Sequence, residues 1–74
     1  MASAAHVVKS GIKWVAKVDG VALEERYTQN MAIQDGREWL QEHGGGELFI
    51  HGEDGAVRAK DTIYPGNDPR NIRG

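Results

Sequence analysis

Hydrophobic and polar residues alternate along the first third of the chain. Residues 6–9 are a short strand candidate, a turn follows at Ser10-Gly11, and residue types roughly alternate from Lys13 to Val18. Alternation with a period of two is typical of a strand that buries one face. Asp19-Gly20 then provides residue types that tolerate positive φ at both positions of a two-residue hairpin turn. We therefore predict three consecutive antiparallel strands.

This hairpin turn also predicts how the second and third strands pair. Val18 then lies opposite Val21, and Ala16 lies opposite Leu23, so the apolar partners share the inward face. The charged residues of these two strands are predicted on the opposite, solvent-facing side: Lys13, Lys17, Glu24 and Arg26.

The middle of the chain carries the spacing of an amphipathic helix. Ile33, Gly36 and Leu40 recur at three- and four-residue intervals, and the prediction is a helix from about Gln29 to His43 with Thr28 as its N-cap. A glycine inside a helix costs about 1 kcal/mol relative to alanine. We expect Gly36 to let the helix approach the sheet closely, beneath Trp14; the alternative is that the helix merely tolerates a glycine at this position.

Three consecutive glycines, residues 44–46, follow this helix. A glycine-rich loop can bind phosphate at the N-terminus of a helix, but here it stands at the C-terminus, where the helix dipole is negative. Glycine is also the usual residue of a left-handed helix cap. We expect these glycines to end the helix and form a loop.

The second half of the chain predicts a further hairpin. Residues 47–51 alternate as a strand, residues 52–55 form a turn, and residues 56–60 form the last strand. The element order is β-β-β-α-β-β, and a crossover through the helix places the fourth strand beside the first, in sheet order 3-2-1-4-5. The alternative is a final hairpin packed as a flap at either edge. The fold class is α+β, with one helix on a mostly antiparallel twisted sheet.

The length and composition limit the chain to one small domain. It has 74 residues, a formal charge of -2 and no cysteine, which excludes a disulfide scaffold and a thiolate metal site. Its apolar runs are too short for a membrane span, and we expect a cytoplasmic protein. Residues 1–5 are predicted as a disordered leader, residues 6–64 as the domain, and residues 65–74 as a flexible tail.

Several motifs together resemble a family of short bacterial proteins catalogued as domain of unknown function 2188. The resemblance covers about residues 6–70 and is most specific in the turn after Ile50 and in the tail. The motifs that carry it are the Trp14 strand, Val18-Asp19-Gly20, Ala32-Ile33 with Arg37-Glu38, Glu47-Leu48, Ile50-His51-Gly52-Glu53-Asp54-Gly55 and Gly66-Asn67-Asp68-Pro69.

The resemblance implies a compact, stand-alone module in the bacterial cytosol, and it implies no substrate, cofactor or catalytic residue. Two positions depart from the family pattern. Glu53 stands where members often have a basic residue, which weakens a nucleic-acid role for that turn. Met31 stands where an acidic residue is usual, which removes the capping-box partner of Thr28.

The three histidines are the candidates for metal chemistry. His6 and His51 approach each other if their strands are neighbours, with Glu53 or Asp54 as an oxygen ligand, but the close ligand pairs of a zinc site are missing. We expect His51 to anchor its turn through a backbone hydrogen bond and His43 to cap the last helical turn. We assign no metal ligand and no cofactor.

No catalytic constellation is present in the sequence. Glu24 and Glu25 are adjacent in a strand, so they face opposite sides and form no acid/base dyad. The serines and threonines lie in no nucleophile motif. We assign no catalytic residue and expect a protein that is not an enzyme.

The solvent-facing side of the sheet is the preferred functional surface. Val15 and Phe49 are predicted to point away from the helix, and one helix covers only one face. We expect an interaction module that binds a partner protein or a second copy, unless the stems of Lys13 and Lys17 shield the two apolar residues. The candidate surface comprises Lys13, Val15, Lys17, Arg26, Phe49, His51, Arg58 and Lys60, and the candidate tail motif comprises Asn67, Asp68, Pro69 and Arg70.

The same face offers an alternative function, weak nucleic-acid binding. Its basic residues lie around Phe49, an arrangement that several nucleic-acid modules share. The net charge of -2 and the acidic residues among the basic ones argue against this alternative, because nucleic-acid domains are usually clearly positive.

Overall fold

Five strands and one helix follow each other in the predicted order in a computed structural model that describes residues 3–66. The elements are β1 (Ser3–Ser10), β2 (Lys13–Val18), β3 (Val21–Arg26), α1 (Gln29–Glu42), β4 (Gly46–His51) and β5 (Val57–Ile63). The α+β class expected from the sequence is confirmed. None of the described residues forms a helix that is both long and apolar enough to cross a membrane.

The strands form one sheet in the order β3-β2-β1-β4-β5, as predicted. β1 pairs with β4 in parallel, and the other three pairs are antiparallel. α1 connects β3 at one edge to β4 beside β1, because parallel neighbours need a crossover connection. The alternative of a final hairpin packed as a separate flap is wrong, since β4 pairs with both β1 and β5.

Both ends of α1 have the predicted caps. Thr28 adopts an extended conformation, and its hydroxyl accepts a hydrogen bond of 3.2 Å from the backbone N–H of Met31. At the other end, Gly44 and Gly45 have φ angles of 92° and 88°, and the N–H of Gly45 donates to the carbonyl of Leu40. The glycine run therefore ends the helix, as expected.

The core lies between α1 and one face of the sheet. Each strand except β3 contributes at least one buried apolar residue to the core, and β3 contributes the partly buried Leu23. The core residues are Ala5, Val7, Trp14, Ala16, Val18, Ala32, Leu40, Leu48 and Ile63.

Gly36 lies where the helix approaches the sheet most closely. A Cβ atom at this position would stand 3.0 Å from Cδ1 of Leu48 and 3.5 Å from Cβ of Ala16. The expected close approach is confirmed, but its neighbours are Leu48 and Ala16, together with Ala5, and not Trp14. The parallel pairing of β1 with β4 places Leu48 under the helix axis. The alternation of residues in the β2–β3 hairpin carries no information about this pairing.

The boundaries of the domain differ from the prediction at its start. β1 begins at Ser3, which pairs with Gly46, and Ala5 is fully buried, so residues 3–5 are not a disordered leader. β5 continues to the buried Ile63, three residues beyond the predicted strand end. The tail motif of Asn67, Asp68, Pro69 and Arg70 lies outside the described residues.

The close contact at Gly36 predicts the effect of a larger side chain. Gly36→Val should lower the free energy of unfolding by about 1–3 kcal/mol, because a branched side chain overpacks against Leu48 and Ala16. The matched control is Gln34→Val on the exposed side of α1, which should cost only about 0.5 kcal/mol in helix propensity. Denaturant unfolding of both variants measures the difference, and equal stabilities would contradict the close approach.

Candidate interaction surface

The face of the sheet opposite α1, here called the outer face, carries one row of side chains that crosses all five strands. Successive pairing partners define this central row: Ala22, Lys17, His6, Phe49 and Lys60. Directly paired residues on one face have their Cβ atoms about 5 Å apart. In this row, the rings of His6 and Phe49 lie side by side. Lys17 flanks the imidazole and Lys60 flanks the phenyl ring.

The aromatic rings at the centre of this row stack on each other. The ring centroids of His6 and Phe49 are 4.8 Å apart, with an angle of 14° between the planes. On the β5 side, Nζ of Lys60 lies 5.9 Å from the centroid of Phe49. Phe49 therefore stands between a stacked imidazole and an ammonium group, and His6 covers one of its ring faces.

Val15 is not the exposed apolar residue that the sequence predicts. It pairs with Val8 on the outer face, on the side away from the core residues Trp14 and Ala16, but it is only 2 % exposed. Neighbouring side chains of the same molecule therefore cover it. The half-buried Phe49 is likewise flanked within the chain, so the outer face is less apolar than expected.

Arg26 lies on the helix side of the sheet and not on the outer face. Two residues of β3, Leu23 and Glu24, lie opposite a single residue of β2, so the predicted register shifts by one beyond the bulge. Arg26 then pairs with Trp14, and its guanidinium donates 3.1 Å hydrogen bonds to both carboxylate oxygens of Asp35 on α1. The prediction of Arg26 as a surface residue is wrong because of this bulge.

Arg58 lies in β5, next to the turn that joins β4 to β5. His51 pairs with Val57 and Ile50 pairs with Ala59, which leaves Arg58 as the extra residue of a second bulge. Its guanidinium forms a 3.1 Å ion pair with Asp54 in the turn. Arg58 is exposed, but it is held by this carboxylate and is not part of the central row.

His6 and His51 lie side by side, as the neighbouring strands suggest. Nδ1 of His6 is 2.9 Å from Nε2 of His51, and Nδ1 of His51 is 2.8 Å from the carbonyl oxygen of Gly55. The expectation that His51 anchors its turn through the backbone is confirmed. His43 caps the helix as expected, with its Nδ1 2.7 Å from the carbonyl oxygen of Trp39.

The oxygen ligands considered for a zinc site are engaged elsewhere. Glu53 lies 3.6 Å from Nζ of Lys9, and Asp54 binds the guanidinium of Arg58. Between residues 3 and 66, no group of three or more histidines, aspartates or glutamates stands close enough together to hold a metal ion. The two adjacent imidazoles are therefore without a third ligand of that kind in the described part of the chain.

The basic side chains divide into two groups. Lys9, Arg26, Arg37 and Arg58 each lie within ion-pair distance of a carboxylate. By contrast, no carboxylate of the described residues lies within that distance of the three lysines on the outer face: Lys13, Lys17 and Lys60. Among the described residues, the basic side chains without an ion-pair partner therefore all lie on the outer face.

The acidic side chains on the outer face bind hydroxyl groups. Glu25 accepts a 3.0 Å hydrogen bond from Ser10, and Glu47 accepts hydrogen bonds from Thr62. Lys13 lies 4.8 Å from the ring of Tyr27, which is 72 % exposed. Both signs of charge are thus present on this face, although none of its lysines forms an ion pair with a carboxylate of the described residues.

The chain matches, over residues 5–63, the sequence profile of a bacterial family described as "Uncharacterized protein conserved in bacteria (DUF2188)". The chain belongs to this family. The family match confirms the resemblance seen in the sequence, although it ends before the Gly66-Asn67-Asp68-Pro69 segment. No curated protein and no solved structure gave a significant match.

Sequence reasoning missed two residues of this surface. His6 is predicted only as a possible metal ligand, although the predicted strand order places its strand at the centre of the sheet. Tyr27 is not among the predicted surface residues. A parallel register for the first and fourth strands would have identified His6, whereas the position of Tyr27 depends on a bulge that the local sequence does not indicate.

The Arg26–Asp35 contact predicts a stability effect. Arg26→Gln should lower the free energy of unfolding by about 1 kcal/mol, because it leaves the half-buried Asp35 carboxylate without its charged partner. The control is Lys17→Gln, which removes a charge from the exposed end of a side chain on the same sheet and should change stability by less than about 0.5 kcal/mol. Urea midpoints compare the two, and equal midpoints would show that the ion pair does not stabilise the fold.

Proposed function

We propose that the chain is a non-enzymatic interaction module whose outer face binds an acidic segment of a partner protein. The observation that supports this proposal is the set of three outer-face lysines without a carboxylate at ion-pair distance in the described residues, while the other described basic residues are paired. Electrostatic complementarity of this kind selects partners and accelerates association. The partner chemistry that fits is a row of carboxylates.

The spacing of the lysines favours an extended segment. Lys13 and Lys17 are four residues apart on β2, a distance of about 13 Å along a strand. Lys17 and Lys60 are separated by three strand-to-strand steps, or about 14 Å. Carboxylates four residues apart on an extended chain have the same separation of about 13 Å, so such a segment reaches two lysines at once.

One observation makes nucleic acid the less favoured ligand. The stacked ring of His6 already covers one face of Phe49, so that face is not available to a nucleotide base. We keep single-stranded nucleic acid as an outcome of the binding test. The proposed setting is the bacterial cytoplasm, in agreement with the absence of cysteine from the sequence.

The test compares two double variants with the same loss of charge. Lys17→Gln/Lys60→Gln removes two unpaired lysines of the central row, and Arg37→Gln/Arg58→Gln removes two exposed arginines that are already paired. Binding of a fluorescent oligoglutamate peptide is measured by anisotropy at low and at physiological ionic strength. Each exposed ion pair contributes about 0.5 kcal/mol, so the lysine variant should bind about fivefold more weakly than the wild type.

The arginine variant should retain most of the wild-type affinity, and an equal loss in both variants would contradict a specific role for the outer face. An oligothymidylate of similar charge is titrated in parallel. Tighter binding of the oligonucleotide than of the peptide would overturn the proposal in favour of nucleic acid. If neither probe binds, the acidic partner is wrong, and a dimer in sedimentation would then favour a second copy of the chain as the partner.

A further inference from the structure

The paired imidazoles of His6 and His51 contain four ring nitrogens, and three of them have partners. Nδ1 of His51 faces the carbonyl oxygen of Gly55 at 2.8 Å, and Nε2 of His51 faces Nδ1 of His6 at 2.9 Å. Nε2 of His6 is the fourth nitrogen. No hydrogen-bond partner for it is found among residues 3–66.

The carbonyl of Gly55 fixes the tautomers of both neutral rings. A carbonyl oxygen only accepts, so Nδ1 of His51 carries the proton and Nε2 of the same ring is a bare acceptor. Nδ1 of His6 must then donate to it. The proton of neutral His6 is therefore on Nδ1, and its Nε2 is an unprotonated nitrogen on the outer face.

This arrangement leaves one place for an added proton. A proton that binds Nε2 of His6 leaves both existing hydrogen bonds intact, whichever of the two rings then carries the formal charge. A second proton would have to enter between the rings, where Nδ1 of His6 and Nε2 of His51 are only 2.9 Å apart, and it would break their hydrogen bond. The pair therefore takes up one charge and resists a second.

The charged groups around the pair decide what this proton does. On the outer face, β2 contributes Lys17 directly beside His6, β5 contributes Lys60 beyond Phe49, and the Glu47 carboxylate of β4 binds Thr62. Lys13 lies over Tyr27 at the end of β2. Among the remaining neighbouring charges, Lys9 is paired with Glu53 and Arg58 with Asp54. The Glu25 carboxylate accepts a hydrogen bond from the Ser10 hydroxyl and keeps its negative charge.

We infer that the His6–His51 pair makes binding on the outer face dependent on pH. One proton at Nε2 of His6 adds a third positive group to the central row, between Lys17 and Lys60. The inference rests on the proposed function, because it assigns the proton to regulation of the same acidic partner. Binding of carboxylates should therefore tighten on acidification, when the pair takes up this proton.

The first experiment examines the tautomers without a ligand or a variant. Long-range ¹H–¹⁵N correlation spectra of the wild-type protein at neutral pH should show Nδ1 protonated and Nε2 bare in both His6 and His51. On acidification, Nε2 of His6 should take up the first proton of the pair. The common Nε2–H tautomer in His51, or simultaneous protonation of both rings, would overturn the inference whether or not any peptide binds.

The second experiment measures the coupling to binding. Oligoglutamate should bind the wild type about two- to fivefold more tightly at pH about 5.5 than at about 7.5, while its side chains, with an ordinary pKa of about 4.3, stay ionised. His6→Gln should remove this pH dependence. The matched control is His43→Gln, which replaces an imidazole held by a carbonyl at the far end of α1 and should retain it.

These results separate the two proposals. Binding that does not change with pH, or a pH dependence that survives in His6→Gln, overturns the inference and leaves the proposed function standing. Absence of binding at both pH values overturns the proposed function and the coupling together, and the spectra still decide the protonation order of the pair.

Discussion

The parallel pairing of β1 with β4 is the contact on which the rest of the structure depends. It joins the β1–β2–β3 meander to the β4–β5 hairpin, and α1 must cross the sheet to make it possible. On the helix side it brings Leu48 beside Ala5, under Gly36. On the other side it brings His6 beside Phe49. The same strand pairing therefore positions core residues on one side of the sheet and residues of the candidate surface on the other.

The parts of the fold that local chemistry determines could be predicted from the sequence. Asp19-Gly20 specifies a hairpin because few residue pairs tolerate positive φ at both positions, and the structure has φ angles of 52° and 84° there. The Thr28 cap and the glycine end of α1 follow from equally local preferences. With three strands before the helix and two after it, few sheet orders remain, which explains why the predicted order is correct.

The wrong placement of Arg26 on the outer face and the position of Arg58 outside the central row both originate in the two bulges. A bulge moves every later residue of a strand to the opposite face, and its position depends on contacts with distant residues such as Asp35, which binds Arg26 from the helix. Whether a side chain is buried also depends on residues that are distant in the sequence. Val15 is buried and residues 3–5 are ordered because of neighbours on other strands, so no pattern within their own segment indicates either. The burial of Val15 and the position of Arg26 could therefore not be predicted from the sequence.

The positions of the bulges have a consequence for the behaviour of the sheet in a crowded solution. β3 and β5 are the two outermost strands, and each has one interruption in its ladder of backbone hydrogen bonds. An uninterrupted outermost strand is a template onto which another extended chain can add, which is the first step of aggregation. A kink in each rim disturbs that template. The two bulges therefore make both outermost strands poorer templates for the addition of another chain.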